Sequence, residues 1–175
     1  MLGWLISNIF LYGRLSYDDI VKGLNDVDEL CKSRKLRLEV TIVGCAAIIL
    51  QYKDKYAGTT RDVDISVHSD DLTRSHIADM SKLIAKKYGW DEDWLNYCFD
   101  SFCVQLHSKK LSVLKNLSDS GHGLFADVVE EEQLLALKCD ALRDLPGKHD
   151  YEDAIFLMCV TEIVSREDLL ENMKK

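Results

Sequence analysis

Apolar residues in the first third of the chain recur with two different periods. From Ser16 to Ser33 (SYDDIVKGLNDVDELCKS), Ile20, Leu24, Val27 and Leu30 fall at helical spacing. Ser16 supplies a hydroxyl for the free N–H groups of the first turn, and Asp18 and Asp19 suit the positive end of the helix dipole. Leu36 to Val43 then becomes β-branched and predicts a strand, which stops at Gly44. Small and apolar residues from Ala46 to Tyr52 predict a helix, followed by a polar connector from Lys53 to Thr60. In a second predicted strand, Asp62 to His68, the two acids Asp62 and Asp64 alternate with Val63, Ile65 and Val67. Successive strand residues face opposite ways, so the carboxylates share one face and the apolar residues face a core.

Further along, Ile77, Met80, Leu83 and Ile84 predict a helix over Leu72 to Tyr88, with Gly89 as its C-cap. Trp90 to Asn96 reads as a turn or short helix. Phe99 to His107 and Leu111 to Leu117 alternate as strands, with Lys109-Lys110 at a hairpin tip between them. Ser118 to Gly123 is a loop, Leu124 to Val129 a strand and Glu130 to Arg143 a helix. Pro146-Gly147 breaks the chain before two more helices, Asp150 to Val160 and Ser165 to Met173. Strands that come early and mid-chain, followed by a helical C-terminal third, define an α+β class: a mixed sheet with helices packed on it. The 175 residues suit a single domain, with an N-terminal helical part (1–35), a sheet core (36–129) and C-terminal helices (130–175).

Composition narrows the function classes. Apolar residues make up 47% and charged residues 30% of the chain, as in ordinary globular proteins. A net charge of −8 argues against a general nucleic-acid coat, leaving only a local basic patch at Lys109, Lys110 and Lys115. Cys31, Cys45, Cys98, Cys103, Cys139 and Cys159 form no Cys-x-x-Cys pair, so a zinc site is not expected; with no secretion signal they read as reduced, in a cytoplasmic protein. The apolar start MLGWLISNIFLYG lacks a basic lead and a cleavage site and is too short to span a bilayer. It reads as a cover for the core or as a surface for a partner or for self-association, and no membrane role is expected.

The candidate chemistry lies between Val40 and Val67. Two acids on one strand face repel each other unless a cation sits between them. Hard oxygen ligands of this kind suit Mg²⁺, commonly held by one or two carboxylates and substrate phosphates. Gly44-Cys45 opens a helix, and a helix N-terminus favours phosphate. Together they point to metal-assisted phosphoryl or nucleotidyl transfer. The structural reading of the same acids is a solvated sheet face.

The order Gly44-Cys45, helix, Asp62-Val63-Asp64-Ile65 resembles the signature of the DNA polymerase β-type nucleotidyltransferase superfamily, where a Gly-Gly or Gly-Ser turn precedes an Asp-x-Asp or Asp-x-Glu strand. Thr59-Thr60-Arg61 looks like its minimal branch, which contains the AbiE-type abortive-infection toxins. Trp90 to Asn96 (WDEDWLN) and Leu134 to Asp153 are similar to later stretches of that branch, so the resemblance runs from about Leu36 to Leu157. It implies a nucleotidyltransferase-like fold and transfer of an NMP from an NTP to an acceptor hydroxyl on tRNA or protein. The implied ion is Mg²⁺, with Mn²⁺ as the alternative. The implied setting is toxin–antitoxin or phage defence, with a cognate antitoxin as partner. Asp62 and Asp64 would hold the metal with a third carboxylate, for which Asp127 is the first candidate, Asp100 the second, and Gln105 an uncharged substitute. Gly44, Cys45, Thr60, Arg61, Lys138, Arg143, Asp150 and Asp153 would line the nucleotide site. Lys138 would act on the triphosphate, oriented by Asp150 or Asp153. Cys45 replaces the family's second Gly or Ser, and His149 stands where Arg is usual. These departures, with the uncertain third carboxylate, motivate the alternative reading: a degenerate nucleotidyltransferase that serves as a binding or regulatory module.

Overall fold

Ser16 begins the first helix as its hydroxyl implies. In the computed structural model, which describes residues 14–68, 74–97, 106–114, 117, 120–142, 148–163 and 165–172, Ser16 Oγ accepts from Asp19 N (3.3 Å) while Ser16 N donates to Asp19 Oδ2 (3.0 Å). This reciprocal capping box opens α1 (Tyr17–Arg34), and Lys35, at φ 55°, closes it in the left-handed region. The chain continues through β1 (Arg37–Ile42), α2 (Gly44–Gln51), β2 (Val63–Val67), α3 (Arg74–Tyr88), β3 (Leu95–Asn96), β4 (Ser108–Lys109), β5 (Gly123–Val129), α4 (Glu131–Ala141), α5 (Lys148–Val160) and α6 (Arg166–Asn172). The last helix starts with a capping box at Ser165 and Asp168.

The five strands form one mixed sheet in the order β3-β2-β1-β5-β4. β1 runs antiparallel to β2 and parallel to β5, β2 is parallel to β3, and β4 is antiparallel to β5. Together with the helices, this is a mixed α/β fold compatible with the α+β class. One sheet face carries Leu38, Val40, Ile42, Val63, Ile65, Leu124 and Val128, all buried in one core with Leu24, Val27 and Cys31 of α1 and Ile77, Met80 and Ile84 of α3. The other face is polar and carries Glu39, Thr41, Asp64, Ser66 and Asp127. Asp28, buried in α1, accepts from Leu124 N (2.9 Å) and pairs with Lys32 (2.7 Å), which ties the helix to the start of β5. Trp94 is fully buried; its Nε1 donates to Ser81 O (3.1 Å), and its ring sits where a side chain on Gly23 would lie.

Three expectations need correction. The Leu111 to Leu117 segment is not a strand over its described part: Ser112–Leu114 is a turn of 3-10 helix, with Leu114 and Leu117 buried. Its leucines follow a buried turn rather than an alternating edge. Lys109 belongs to β4, paired with Val128, rather than to a hairpin tip. Trp90 to Asn96 ends in β3 because Leu95 and Asn96 pair with Val63 and Asp64. The apolar N-terminal stretch 1–13, Asp100, Gln105, Lys115, Arg143 and most of the expected Phe99 to His107 strand lie outside the described residues. No helix among the described residues is long and apolar enough to cross a membrane.

Candidate active site

β1 leads straight into α2, and the turn between them sets the geometry of the site. Gly44 has φ +66°, and a Cβ there would lie 2.7 Å from Asp64 Oδ2. Only glycine combines that backbone with so close an approach. Val43 N donates to Asp64 O (3.0 Å), which holds β2 against the turn. Alternation in β2 then works as expected. Val63 and Ile65 are buried, and Asp62 and Asp64 sit half-buried on the other face. Thr60 is buried; it bridges to Leu15 through the backbone, and its hydroxyl donates to Asp62 O (3.0 Å).

Both acids open into a cleft of about 640 Å³ that also takes in Cys45, Thr60, Arg61, Lys138, Asp150 and Asp153. Of the described residues expected from the sequence to hold nucleotide or metal, this cleft brings together all but Gly44 and Asp127; Arg143 lies outside the described residues. Gly44 lies against Asp64 at its edge. Its lining includes seven carboxylates against three permanent cations, Arg14, Arg61 and Lys138. Burial first, and then the neighbouring Asp62, raise the Asp64 carboxyl to about 6, while Lys138 lowers it somewhat.

Across the cleft, Lys138 of α4 reaches two carboxylates of α5: Asp150 Oδ1 at 2.8 Å and Asp153 Oδ2 at 2.8 Å. Burial alone would depress the Lys138 ammonium, but its donation to Asp150 and its pairing with Asp153 more than offset that and hold it above the ordinary lysine range. Asp153 is fully buried, and its other oxygen accepts from the Tyr56 hydroxyl. Tyr56 packs edge-on to Phe156 (5.0 Å), and its own hydroxyl is pushed to a higher pKa by burial and by Asp153. Cys45 lies beside it (Sγ to Tyr56 hydroxyl oxygen, 3.7 Å), and burial raises its thiol to about 11, so it is a neutral wall of the cleft rather than a nucleophile. Arg14 contacts His149 Nε2 (2.8 Å) at the rim, and Arg61 faces Asp91 at 3.8 Å, an exposed pair of little strength.

Asp127 does not join this group. It pairs in register with Thr41, which pairs with Ser66, so it stands two strands over and one side-chain row along from Asp64. Strand spacing puts the two Cα atoms about 12 Å apart. Asp127 lines a different cleft and accepts from Ser108 Oγ (3.4 Å). Extending the register by one residue brings Val129, not an acid, to the Asp64 row. Among the described residues, no group of three or more His, Cys, Asp or Glu side chains is placed to hold a metal ion. Sequence reasoning missed Tyr56, Arg14, the Asp91 to Asp93 acids and Asn96, which pairs directly with Asp64. An aromatic residue inside the polar connector and an asparagine closing WDEDWLN were the available signals.

No family model matches the chain, and comparison with curated proteins and with solved structures returns no match either.

Proposed function

We propose that this chain is a Mg²⁺-dependent nucleotidyltransferase, with a nucleotidyltransferase-like fold, that moves an NMP from an NTP to an acceptor hydroxyl on tRNA or protein. The observation that carries the reading is the convergence in one cleft of the Asp62–Asp64 pair and the clamped Lys138, with the Gly44 turn pressed against Asp64 at its edge. The donor set fits a hard divalent cation: two carboxylates on one strand face with Asn96 beside them, the Asp64 carboxyl being raised first by burial and then by the neighbouring Asp62. When bound there, Mg²⁺ (or Mn²⁺) supplies charge neutralisation at the triphosphate and at the reacting oxygen.

The chain's own residues do the rest. Backbone N–H groups at the start of α2 receive phosphate oxygens, as helix N-termini do. Lys138, held by Asp150 and Asp153, presents a fixed positive charge toward the triphosphate. The acceptor oxygen bonds to the α-phosphorus as the bond to the bridging oxygen breaks. Pyrophosphate leaves with that electron pair, and the hydroxyl proton passes to solvent. The toxin–antitoxin or phage-defence setting, with a cognate antitoxin as partner and the cytoplasm as location, follows from the resemblance alone.

One observation favours the second reading, a binding module without turnover: Asp127 is a side-chain row away from the pair, and Val129 occupies the row beside Asp64. Calorimetric titration of each NTP with and without Mg²⁺ tests the site itself. Binding that requires Mg²⁺ and disappears in Asp62→Asn/Asp64→Asn supports both readings; metal-independent or unaltered binding contradicts both. Labelled-NMP transfer then separates them.

A further inference from the structure

The polar face of the sheet continues past Asp64 as a ladder of side-chain rows. Asn96 flanks Asp64 in the first row; Ser66, Thr41 and Asp127 make the next; Glu39 and Phe125 follow, with Arg37 at the far end of β1. Rows on one face are about 7 Å apart. The first row opens into the acidic cleft, and the rows beyond it line a second cleft of about 510 Å³. The two clefts therefore adjoin along one sheet face.

In the second cleft the Arg37 guanidinium lies over the Phe125 ring, 4.0 Å from its centroid, and Arg37 Nε donates to Glu39 Oε1. The ring below and the carboxylate beside it hold a side chain that remains 51% exposed. Leu106, Leu111 and Leu114 give the cleft apolar walls. Thr41 Oγ1 and His68 Nε2, 2.9 Å apart, give it a polar edge. A guanidinium held over an aromatic ring offers a stacking surface for a planar heterocycle, and hydroxyl and imidazole groups match the donors and acceptors of base edges. Volume and lining suit one small ligand or the end of a larger one.

We propose that this second cleft holds a nucleobase of an acceptor strand, stacked on Arg37 about 17 Å from Asp64 (two rows and two strands away), so that the strand runs along the sheet face and a hydroxyl further along it reaches the Asp62–Asp64 cleft. The proposal rests on the nucleotidyltransferase reading for the identity of the acceptor. The base belongs to a strand rather than to a free nucleotide, whose own hydroxyl does not span that distance. Because the cleft balances Arg37 and Lys110 against Glu39 and Asp127, stacking rather than phosphate attraction drives binding.

The test uses the full chain without NTP. Affinity is measured for AMP, CMP, GMP and UMP by calorimetry, and for a 5′-labelled single-stranded RNA 12-mer by anisotropy, against Phe125→Leu and Phe125→Ala. Phe125→Leu keeps apolar bulk and removes only the ring, so it remains informative where Phe125→Ala fails to fold. Loss of one stacked base weakens binding about tenfold to a hundredfold. We expect a loss of at least tenfold in Phe125→Leu for the 12-mer, with the mononucleotides binding more weakly than the 12-mer; mononucleotides that bind as tightly as the 12-mer count against a strand-borne base. No base binding, or binding unchanged in Phe125→Leu, overturns the proposal. Mg²⁺–NTP binding on the same samples reports separately on the first cleft. NTP binding with label passing only to protein sinks this inference and spares the enzyme reading; base binding at Phe125 without NTP binding does the reverse.

Discussion

Replacing Lys138 by methionine keeps the aliphatic stem and removes the charge. Its two partners differ. Asp150 has a side chain 34% exposed and can turn to water, so its loss of Lys138 costs little. Asp153 is fully buried and would keep only the Tyr56 hydroxyl as a hydrogen-bond donor. Removing one member of a buried pair typically costs about 3–5 kcal/mol, because the remaining charge stays in a poor environment. For a chain of this size that corresponds to a fall in Tm of roughly 10 °C. Urea unfolding near neutral pH, followed by tryptophan fluorescence, reads the change, since Trp94 lies in the core. Adding Asp153→Asn to Lys138→Met removes the stranded charge and is expected to return about 2 kcal/mol or more. A single-mutant cost below about 1 kcal/mol, or no recovery in the double mutant, would refute the buried clamp.

Three further outcomes follow from the same geometry. Asp64 in the folded chain holds its proton up to about pH 6, whereas an unfolded aspartate releases it near 3.9. Between those values the folded state binds the extra proton, so metal-free protein loses stability as pH rises from about 4 through 6, by an amount of order 1–3 kcal/mol. Asp64→Asn should restore that amount at about pH 7.5 and change little below about pH 4, by urea titration; an equal effect at both would contradict the assignment. Gly44→Ala meets both the positive φ and the Asp64 oxygen at 2.7 Å, so it should cost about 2–3 kcal/mol and abolish Mg²⁺-dependent NTP binding. Gly23→Ala places a methyl 2.5 Å from a Trp94 ring atom, and the overpacking should cost about 1–3 kcal/mol in thermal unfolding while leaving the cleft intact.

Much of the candidate cleft was legible because it is built from local rules. Strand alternation alone puts Asp62 and Asp64 on one face and Val63 and Ile65 in the core. The capping chemistry of Ser16 and Ser165 likewise reads directly from residue types. Lys138 was placed beside Asp150 or Asp153 through the resemblance; it meets both because α5 packs across α4. What failed depends on register between distant strands. Asp127 is in a strand of the same sheet, as expected, but it stands one side-chain row off the Asp64 row, and the sequence of β5 carries no sign of its offset against β1. Tyr56 was invisible for a similar reason: its role comes from α5, 97 residues away. The second cleft draws Arg37 from β1 and Phe125 from β5, joined only by the parallel pairing.

The most direct test of the central claim is label transfer. The protein is incubated with Mg²⁺ and each α-labelled NTP in turn, with total tRNA and with protein alone, beside Asp62→Ala/Asp64→Ala. The account expects label in one acceptor class from at least one NTP, lost on chelation and lost in the double variant. Absence of label with every NTP, or label that persists in the double variant, would contradict it.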